Sequence, residues 1–230
     1  MFKKPKEGEK SLREHLIEDL HTGEDNDILH IIDDYHVKNI SDKAIEFYVD
    51  SFSKTGIKRL TLYYQIYNGK FTNNQEREIK MIASNCNINE SIIVSFLTLC
   101  FGRFKKEDSI IEKIKSENGK YVVKRITTNV LKFIDQMADV GIEVWLKPYD
   151  NLRLRPPFHG RYWLNKEAGY IVDGSLDTFL KHRVFAQLMD EENYEIISEL
   201  FKKYIIPGSQ RYGTLDGPMI KALSNHFLAD

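Results

Sequence analysis

The stretch Tyr162-Trp-Leu-Asn-Lys-Glu-Ala-Gly-Tyr-Ile-Val172 contains two short apolar runs separated by a polar turn. The runs at 162–164 and 170–172 consist of aromatic, leucine and β-branched side chains, which favour extended strands. Residues 165–169 between them include Asn and Gly, residue types that suit a reversal of the chain. The stretch therefore predicts a β-hairpin, two antiparallel strands of one sheet.

Strand-like and helix-like segments alternate through most of the chain. Helices are indicated by apolar residues at helical spacing, as after the N-cap residue Ser41 and before Gly141, which ends a helix. Apolar runs rich in β-branched residues predict further strands at 27–32, 57–67, 121–127 and 142–146. Residues 207–218, which contain two turns of the Pro-Gly type, are expected to form a loop. The alternation predicts an α/β fold with a central sheet.

The composition is that of a folded globular protein. The 230 residues are 42% hydrophobic and 29% charged, and 33 basic against 34 acidic side chains give a net charge of −1. Because the whole chain is not a polycation, binding of nucleic acid or of an anionic membrane would have to come from a local patch. Residues 1–24 are highly charged and are expected to form an N-terminal arm, with a single domain over residues 25–230.

Several classes of protein are excluded by what the sequence lacks. Two cysteines, Cys86 and Cys100, are too few for a disulfide scaffold or a four-sulfur zinc site, so we expect buried thiols and neither a metal nor a cofactor. The longest apolar run, residues 92–101, is too short to cross a bilayer, and the charged N-terminus has no apolar signal segment. We therefore expect a cytoplasmic protein with no transmembrane segment.

One stretch concentrates positive charge. Lys147-Pro-Tyr-Asp-Asn-Leu-Arg-Leu-Arg-Pro-Pro-Phe-His-Gly-Arg161 carries four cationic side chains and His159 against a single acid, Asp150. Such a patch attracts phosphate or carboxylate groups, which arginine can bind through two parallel hydrogen bonds. The alternative interpretation is a solvated loop whose arginines pair with surface acids. The four cationic residues are Lys147, Arg153, Arg155 and Arg161.

The segment that follows the hairpin predicts an anion-binding helix start. Gly174 permits close approach of a ligand to the backbone, Ser175 can cap a helix, and the free N–H groups at a helix start hold anions. A histidine, an arginine and a helix start that meet across the hairpin predict a phosphate site formed by His159, Arg161 and Ser175.

These residues resemble a motif of the phospholipase D superfamily, in which His-x-Lys precedes Gly-Ser-x-Asn on a strand–strand–helix unit. His159-Gly-Arg161 and Gly174-Ser-Leu-Asp-Thr-Phe179 are more similar to a divergent branch, the phospholipase D-like domain at the C-terminus of MIT-domain proteins. Ile28-Leu-His-Ile-Ile-Asp-Asp-Tyr35 is similar to the first strand of that branch, and residues 141–146 to the strand before its histidine. The resemblance spans about residues 27–205.

The resemblance implies a phospholipase D-like mixed central sheet flanked by helices, with His159, Arg161 and Ser175 in the catalytic positions. In catalytic members the histidine is a nucleophile and a second motif supplies a second histidine, so a chain with one motif needs a homodimer. Here Arg161 stands where those members have lysine, and Asp177 stands where they have asparagine. A carboxylate at that position repels phosphate, which argues against efficient catalysis.

We therefore expect a protein that binds a phosphate-bearing ligand, such as nucleic acid or an anionic headgroup, with weak or no catalysis. Two alternatives stay open: a dimeric, metal-independent nuclease or phosphodiesterase with His159 as nucleophile, and a protein-interaction module on the same scaffold. His30 is expected to pack in the core, and Trp145 and Trp163 either pack there or stack on bases. The expected ligand-binding residues are Lys147, Arg153, Arg155, Gly174, Asp33 and Tyr35.

Overall fold

The computed structural model describes residues 27–33, 40–66, 70–101, 109–112, 119–150, 161–173, 176 and 186–228. The predicted arm, residues 1–24, lies outside this part of the chain. The elements of the described part, in chain order, are β1 (Ile28–Ile32), α1 (Asp42–Phe52), β2 (Arg59–Gln65), α2 (Asn73–Cys86), α3 (Glu90–Phe101), α4 (Gly119–Asp139), β3 (Glu143–Tyr149), β4 (Arg161–Leu164), β5 (Gly169–Val172), β6 (Ala186–Leu188), α5 (Glu191–Leu200), a π-helix (Phe201–Ile205), α6 (Ile206–Tyr212) and α7 (Gly217–Leu228).

The strands of the described part form one six-stranded mixed sheet in the order β3-β2-β1-β4-β5-β6. β1, β2 and β3 are parallel, whereas β4 is antiparallel to β1 and the strands from β4 to β6 alternate in direction. The predicted hairpin is confirmed as β4 and β5. Its turn is held by the Asn165 side chain, which accepts hydrogen bonds from the backbone N–H groups of Glu167 and Ala168. The α/β fold with a mixed sheet flanked by helices is therefore confirmed.

Helices cover the two faces of the sheet to different extents, and alternate residues of each strand point to opposite faces. One face, which we call the helical face, carries Leu29, Ile31 and Trp163 and forms the larger core with α1, α2, α3, α4 and α7. The opposite face carries Tyr63 and Tyr162 and packs against the π-helix and its neighbours in a smaller core. Part of this second face, toward β3, is less completely covered than the helical face.

Two predicted helix boundaries follow from local hydrogen bonding. The Ser41 hydroxyl accepts a bond from the N–H of Ala44 at 3.3 Å and begins α1, as the sequence predicts. At the end of α4, Gly141 has φ +82°, a backbone angle that residues with a Cβ rarely adopt. The N–H groups of Gly141 and Ile142 then bond back to Ala138 and Met137, so the helix ends in a Schellman motif.

Two segments differ from the sequence prediction. Residues 121–127, which predict a strand, have a helical backbone because they belong to the 21-residue helix α4. Residues 207–218, expected to be a loop, contain most of α6 and the beginning of α7. Pro218 occupies the first turn of α7, where a missing N–H costs no hydrogen bond, whereas Pro207 directly follows the π-helical turn within a continuous helical segment.

Candidate functional site

The site begins where β1 ends and β4 starts. Ile32 and Tyr162 are paired across these antiparallel strands, so Asp33 and Arg161 occupy the next position of the same register. Arg161 Nε donates to Asp33 Oδ1 at 3.3 Å, an ion pair between residues 128 positions apart in the sequence. The pairing of the strands therefore brings two of the predicted site residues into contact.

The segment after β5 closes on the same carboxylate. The backbone N–H of Leu176 donates to Asp33 Oδ2 at 3.4 Å, and the carbonyl of Leu176 accepts a bond from the Tyr48 hydroxyl at 3.0 Å. Leu176 is buried, and Tyr48 belongs to the core of the helical face. The two oxygens of Asp33 thus accept bonds from a guanidinium and from a backbone amide of the Gly174-Ser175-Leu176 motif.

This end of the sheet is a place where α/β proteins commonly bind ligands. From β1 the chain passes to β2 on one side, whereas β4, which follows β3 in the sequence, lies on the other side of β1. The three parallel strands β1, β2 and β3 all end on this side of the sheet. Ligands of open α/β sheets usually bind beyond the carboxyl ends of the strands.

The electrostatics of the pair are those of a partly buried charge. The Asp33 side chain is 8% exposed and the Arg161 side chain 22% exposed, so the guanidinium reaches solvent while its carboxylate partner scarcely does. The backbone N–H of Asp33 also donates to the carbonyl of Tyr63 at 2.9 Å, which fixes the residue to β2. A carboxylate so held is a rigid acceptor that sets the direction of the Arg161 side chain.

Asp150, the one acid of the basic stretch, is turned toward α6. Its carboxylate accepts a bond from the Tyr212 hydroxyl at 3.1 Å and lies 3.7 Å from Arg211 Nη1. Burial, followed by the Asp150 charge, raises the pKa of Tyr212, so the phenol stays protonated and donates. The backbone of Gly208 packs so closely on Asp150 that an added Cβ would lie 3.1 Å from its nitrogen.

Lys147 lies apart from Asp33 and Arg161. It shares the second sheet face with Trp145 and Tyr63, whereas Asp33 and Arg161 belong to the helical face, and β2 and β1 stand between β3 and β4. On that second face the Arg59 guanidinium lies 4.0 Å from the centre of the Trp145 ring, and Lys147 Nζ lies 5.1 Å from it. Lys147 is thus part of a different cationic surface from Arg161.

Arg59 is not among the site residues that the sequence patterns predict. Arg59 and Glu143 are partners in the parallel register of β2 and β3, and Trp145 follows two residues later on the same face. In the sequence, Arg59 is far from Glu143 and Trp145. Its closeness to them could be predicted only from the knowledge that β2 pairs with β3 and that the three residues occupy the same face.

The other predicted site residues lie outside the described part of the chain. They are His159, Ser175, Gly174, Arg153, Arg155 and Tyr35. Their expected roles, and that of Lys147 in phosphate binding, stay predictions.

The buried polar groups also include His30 and the two cysteines. Burial, then the charges of Lys147 and Arg59, lower the pKa of His30 to about 4, and its Nδ1 has no hydrogen-bond partner in the described part of the chain. Cys100 is buried, and burial raises the pKa of the half-buried Cys86 thiol. The Cys86 thiol is therefore protonated at neutral pH, as expected of a packed cysteine.

Metal-ligating side chains do not cluster in the part of the chain that the structure describes. Across residues 27–228, outside the gaps given above, no three His, Cys, Asp or Glu side chains are grouped so that they could hold a metal ion. Among the described helices, none combines the length and the apolar character that a membrane span requires.

Comparison with protein-family models, with curated proteins and with solved structures finds no match to this chain. What the chain binds has to be inferred from the chemistry of its own residues.

Proposed function

We propose that the chain is a phospholipase D-like domain that binds phosphate-bearing ligands at the carboxyl end of β1. One observation carries the proposal: the Arg161 guanidinium and the Leu176 amide, donors from the two predicted halves of the phosphate motif, converge on the same small group, the Asp33 carboxylate. The two motif halves are separate in the sequence, and their convergence supports a common site.

Asp33 acts in this proposal as a positioning residue. A guanidinium has five N–H donors in a planar fork, and the contact with Asp33 involves Nε. Fixing that nitrogen orients the whole plane, so less side-chain entropy is lost when a phosphate binds the fork. The backbone of Leu176, which follows Gly174 and Ser175 in the sequence, is itself held through its N–H and its carbonyl.

The motif residues favour ligand binding with weak or no catalysis. Arg161 binds phosphate well but replaces the lysine of the catalytic pattern, and Asp177 would repel the phosphate at the asparagine position. A single motif also provides one histidine, His159, where the two-step reaction uses two. The domain would therefore hold a phosphodiester or phosphomonoester without cleaving it efficiently.

Fluorescence anisotropy with a short labelled single-stranded DNA, and co-sedimentation with vesicles that contain a phosphoinositide, would test the proposal. The double variant Asp33→Asn/Arg161→Gln removes both charges of the pair at once. We expect it to bind the preferred probe at least about tenfold more weakly, because hydrogen bonds to charged groups contribute roughly 1.5–3 kcal/mol.

The matched control is Asp50→Asn/Lys54→Gln, which removes an ion pair whose side chains are 68% and 67% exposed. It leaves the net charge unchanged, as the test variant does, and should bind normally. Equal binding by the test variant and the wild-type protein, or no binding of either probe by the wild-type protein at low salt, would contradict the proposal.

The two probes and a hydrolysis assay separate the remaining interpretations. Three or four phosphate contacts predict that log affinity falls with log salt with a slope of about −2 to −4. Turnover of a bis-aryl phosphate in EDTA that is lost in His159→Ala would instead establish the dimeric phosphodiesterase. Binding of a protein partner that is insensitive to salt and to charge reversal at Arg153 and Arg155 would favour the protein-interaction module.

A further inference from the structure

A second cationic surface lies on the other face of the sheet, away from Asp33 and Arg161. We call it the Trp145 surface and define it by Arg59 of β2 and by Trp145 and Lys147 of β3. Both cations lie over or beside the same indole ring, Arg59 at 4.0 Å and Lys147 at 5.1 Å from its centre. All three side chains are partly exposed, so a ligand from solvent can reach them.

Positive charge is in excess on this surface. Arg59 has one acidic partner, Glu143, which its guanidinium contacts at 3.0 Å from a position that is 61% exposed. Lys147 Nζ has no carboxylate partner among the described residues. One carboxylate, paired with Arg59, therefore stands against two cations, and the Lys147 ammonium lies beside a ring that cannot neutralise it.

The surroundings show that the two charges act on each other and on their neighbours. Partial burial, then the charge of Arg59, lower the pKa of Lys147, and both cations lower the pKa of His30 on the adjacent strand. His30 Nδ1, for which the described part of the chain supplies no hydrogen-bond partner, belongs to the same face of the sheet. An anion bound between Arg59 and Lys147 would relieve this repulsion, whereas a cationic or neutral ligand would not.

We propose that the Trp145 surface is a second anion site, which binds a phosphate group between the Arg59 fork and the Lys147 ammonium beside the Trp145 ring. An arginine supplies paired N–H donors for two phosphate oxygens, and a lysine supplies a point charge for a third. The indole holds the aliphatic and planar parts of both side chains in place. This site does not depend on the Asp33–Arg161 site, since it lies on the opposite face of the sheet and shares no residue with it.

The test is an NMR titration of the full-length protein with inorganic phosphate at constant ionic strength, with chloride as the exchanged anion. The chain has two tryptophans, and Trp145→Phe assigns their indole signals. We expect the Trp145 indole signal to shift and saturate. The Trp163 signal reports separately on the Asp33–Arg161 site, because Trp163 lies two residues from Arg161 on the same face of β4.

Two variants at this surface should change the affinity in opposite directions. Lys147→Gln should weaken phosphate binding about tenfold or more, whereas Glu143→Gln should strengthen it, because it frees Arg59 from its carboxylate. The paired lysine Lys132, whose side chain is 35% exposed, gives the control Lys132→Gln, which should bind as the wild-type protein does. In Asp33→Asn/Arg161→Gln, phosphate should shift the Trp145 signal as it does in the wild-type protein, with the same affinity.

The proposal is overturned by any of three results. A Trp145 signal that phosphate does not shift would remove a phosphate site from this surface, and so would a signal that acetate shifts as much as phosphate does. A loss of affinity in Glu143→Gln would also overturn it, because the carboxylate would then assist binding instead of competing. Glu143 is exposed, so its substitution should not unfold the protein and this arm of the test stands even if Lys147→Gln folds poorly.

Discussion

Replacing Asp33 with asparagine should destabilise the protein by about 2–3 kcal/mol. The amide keeps one oxygen for the Leu176 N–H but loses the charged bond to Arg161 Nε, which is worth roughly 1.5–3 kcal/mol. Breaking a fully buried ion pair costs about 3–5 kcal/mol. The lower figure applies here because 22% of the Arg161 side chain is exposed, so water can solvate part of the guanidinium.

Urea unfolding followed by far-ultraviolet circular dichroism would measure this cost. The series consists of Asp33→Asn, Arg161→Gln and the double variant, with Asp50→Asn as the control in an exposed pair. We expect the control to change the free energy of unfolding by no more than about 0.5 kcal/mol, since exposed ion pairs contribute little. A coupling energy of about 1–2 kcal/mol should remain between Asp33 and Arg161 in the double-mutant cycle.

Two results would refute the reasoning behind this prediction. Additive effects of the single variants would mean that the two side chains do not interact in the folded protein. A cost for Asp33→Asn as small as that for Asp50→Asn would mean that the carboxylate is not held by donors from β4 and from the segment after β5.

Three further changes are expected to alter the free energy of urea unfolding. The free energy of unfolding should fall by up to about 3 kcal/mol as the pH drops from about 6.5 toward 4. In this range His30 becomes protonated in the unfolded chain but stays neutral in the folded protein, where its pKa is about 4. His30→Leu should not show this part of the loss. Gly208→Ala should cost about 1–3 kcal/mol, since its Cβ would lie 3.1 Å and 3.3 Å from backbone atoms of Asp150, whereas Gly217→Ala, with ordinary contacts of 3.7 Å and 3.8 Å, should cost less. Thr72→Ala should cost about 1 kcal/mol through loss of the capping box of α2, and an unchanged midpoint would contradict it.

Elements with signals at both ends were predictable from the sequence. The hairpin has apolar arms around a polar turn, and α1 has a capping serine before its first apolar residue. β1 is a short run rich in isoleucine, and β2 is a short run of leucine, threonine and tyrosine. In each case the local preference and the packing in the folded protein agree, so the pattern is enough.

The strand predicted at 121–127 shows where local preference fails. Valine, isoleucine and threonine favour strands, yet the penalty for placing them in a helix is a few tenths of a kcal/mol each. The helix they extend buries Val130, Phe133 and Met137 against the sheet, and burying such side chains contributes several times more. A helix nucleated by that apolar face can therefore continue through a β-branched run.

The residues of the site were easier to find than their arrangement. Asp33 and Arg161 were predicted separately, each from its own motif, and the pairing of β1 with β4 brought them together. Lys147 was grouped with Arg161 because one basic stretch contains both. The sheet order inserts β2 and β1 between them, about 14 Å of sheet, and the pleat turns them to opposite faces. Neither fact is local to the sequence.

The π-helical turn Phe201–Ile205 makes the chain sensitive to length at one place. A single helical rod runs from Glu191 to Tyr212, with the wide turn in its middle and Pro207, which lacks an N–H, just beyond it. Removing one residue from that turn would restore regular winding and rotate everything after it by about 100°. Gly208 would then no longer pack against the end of β3. We therefore expect a one-residue deletion here to destabilise the protein far more than a conservative substitution does.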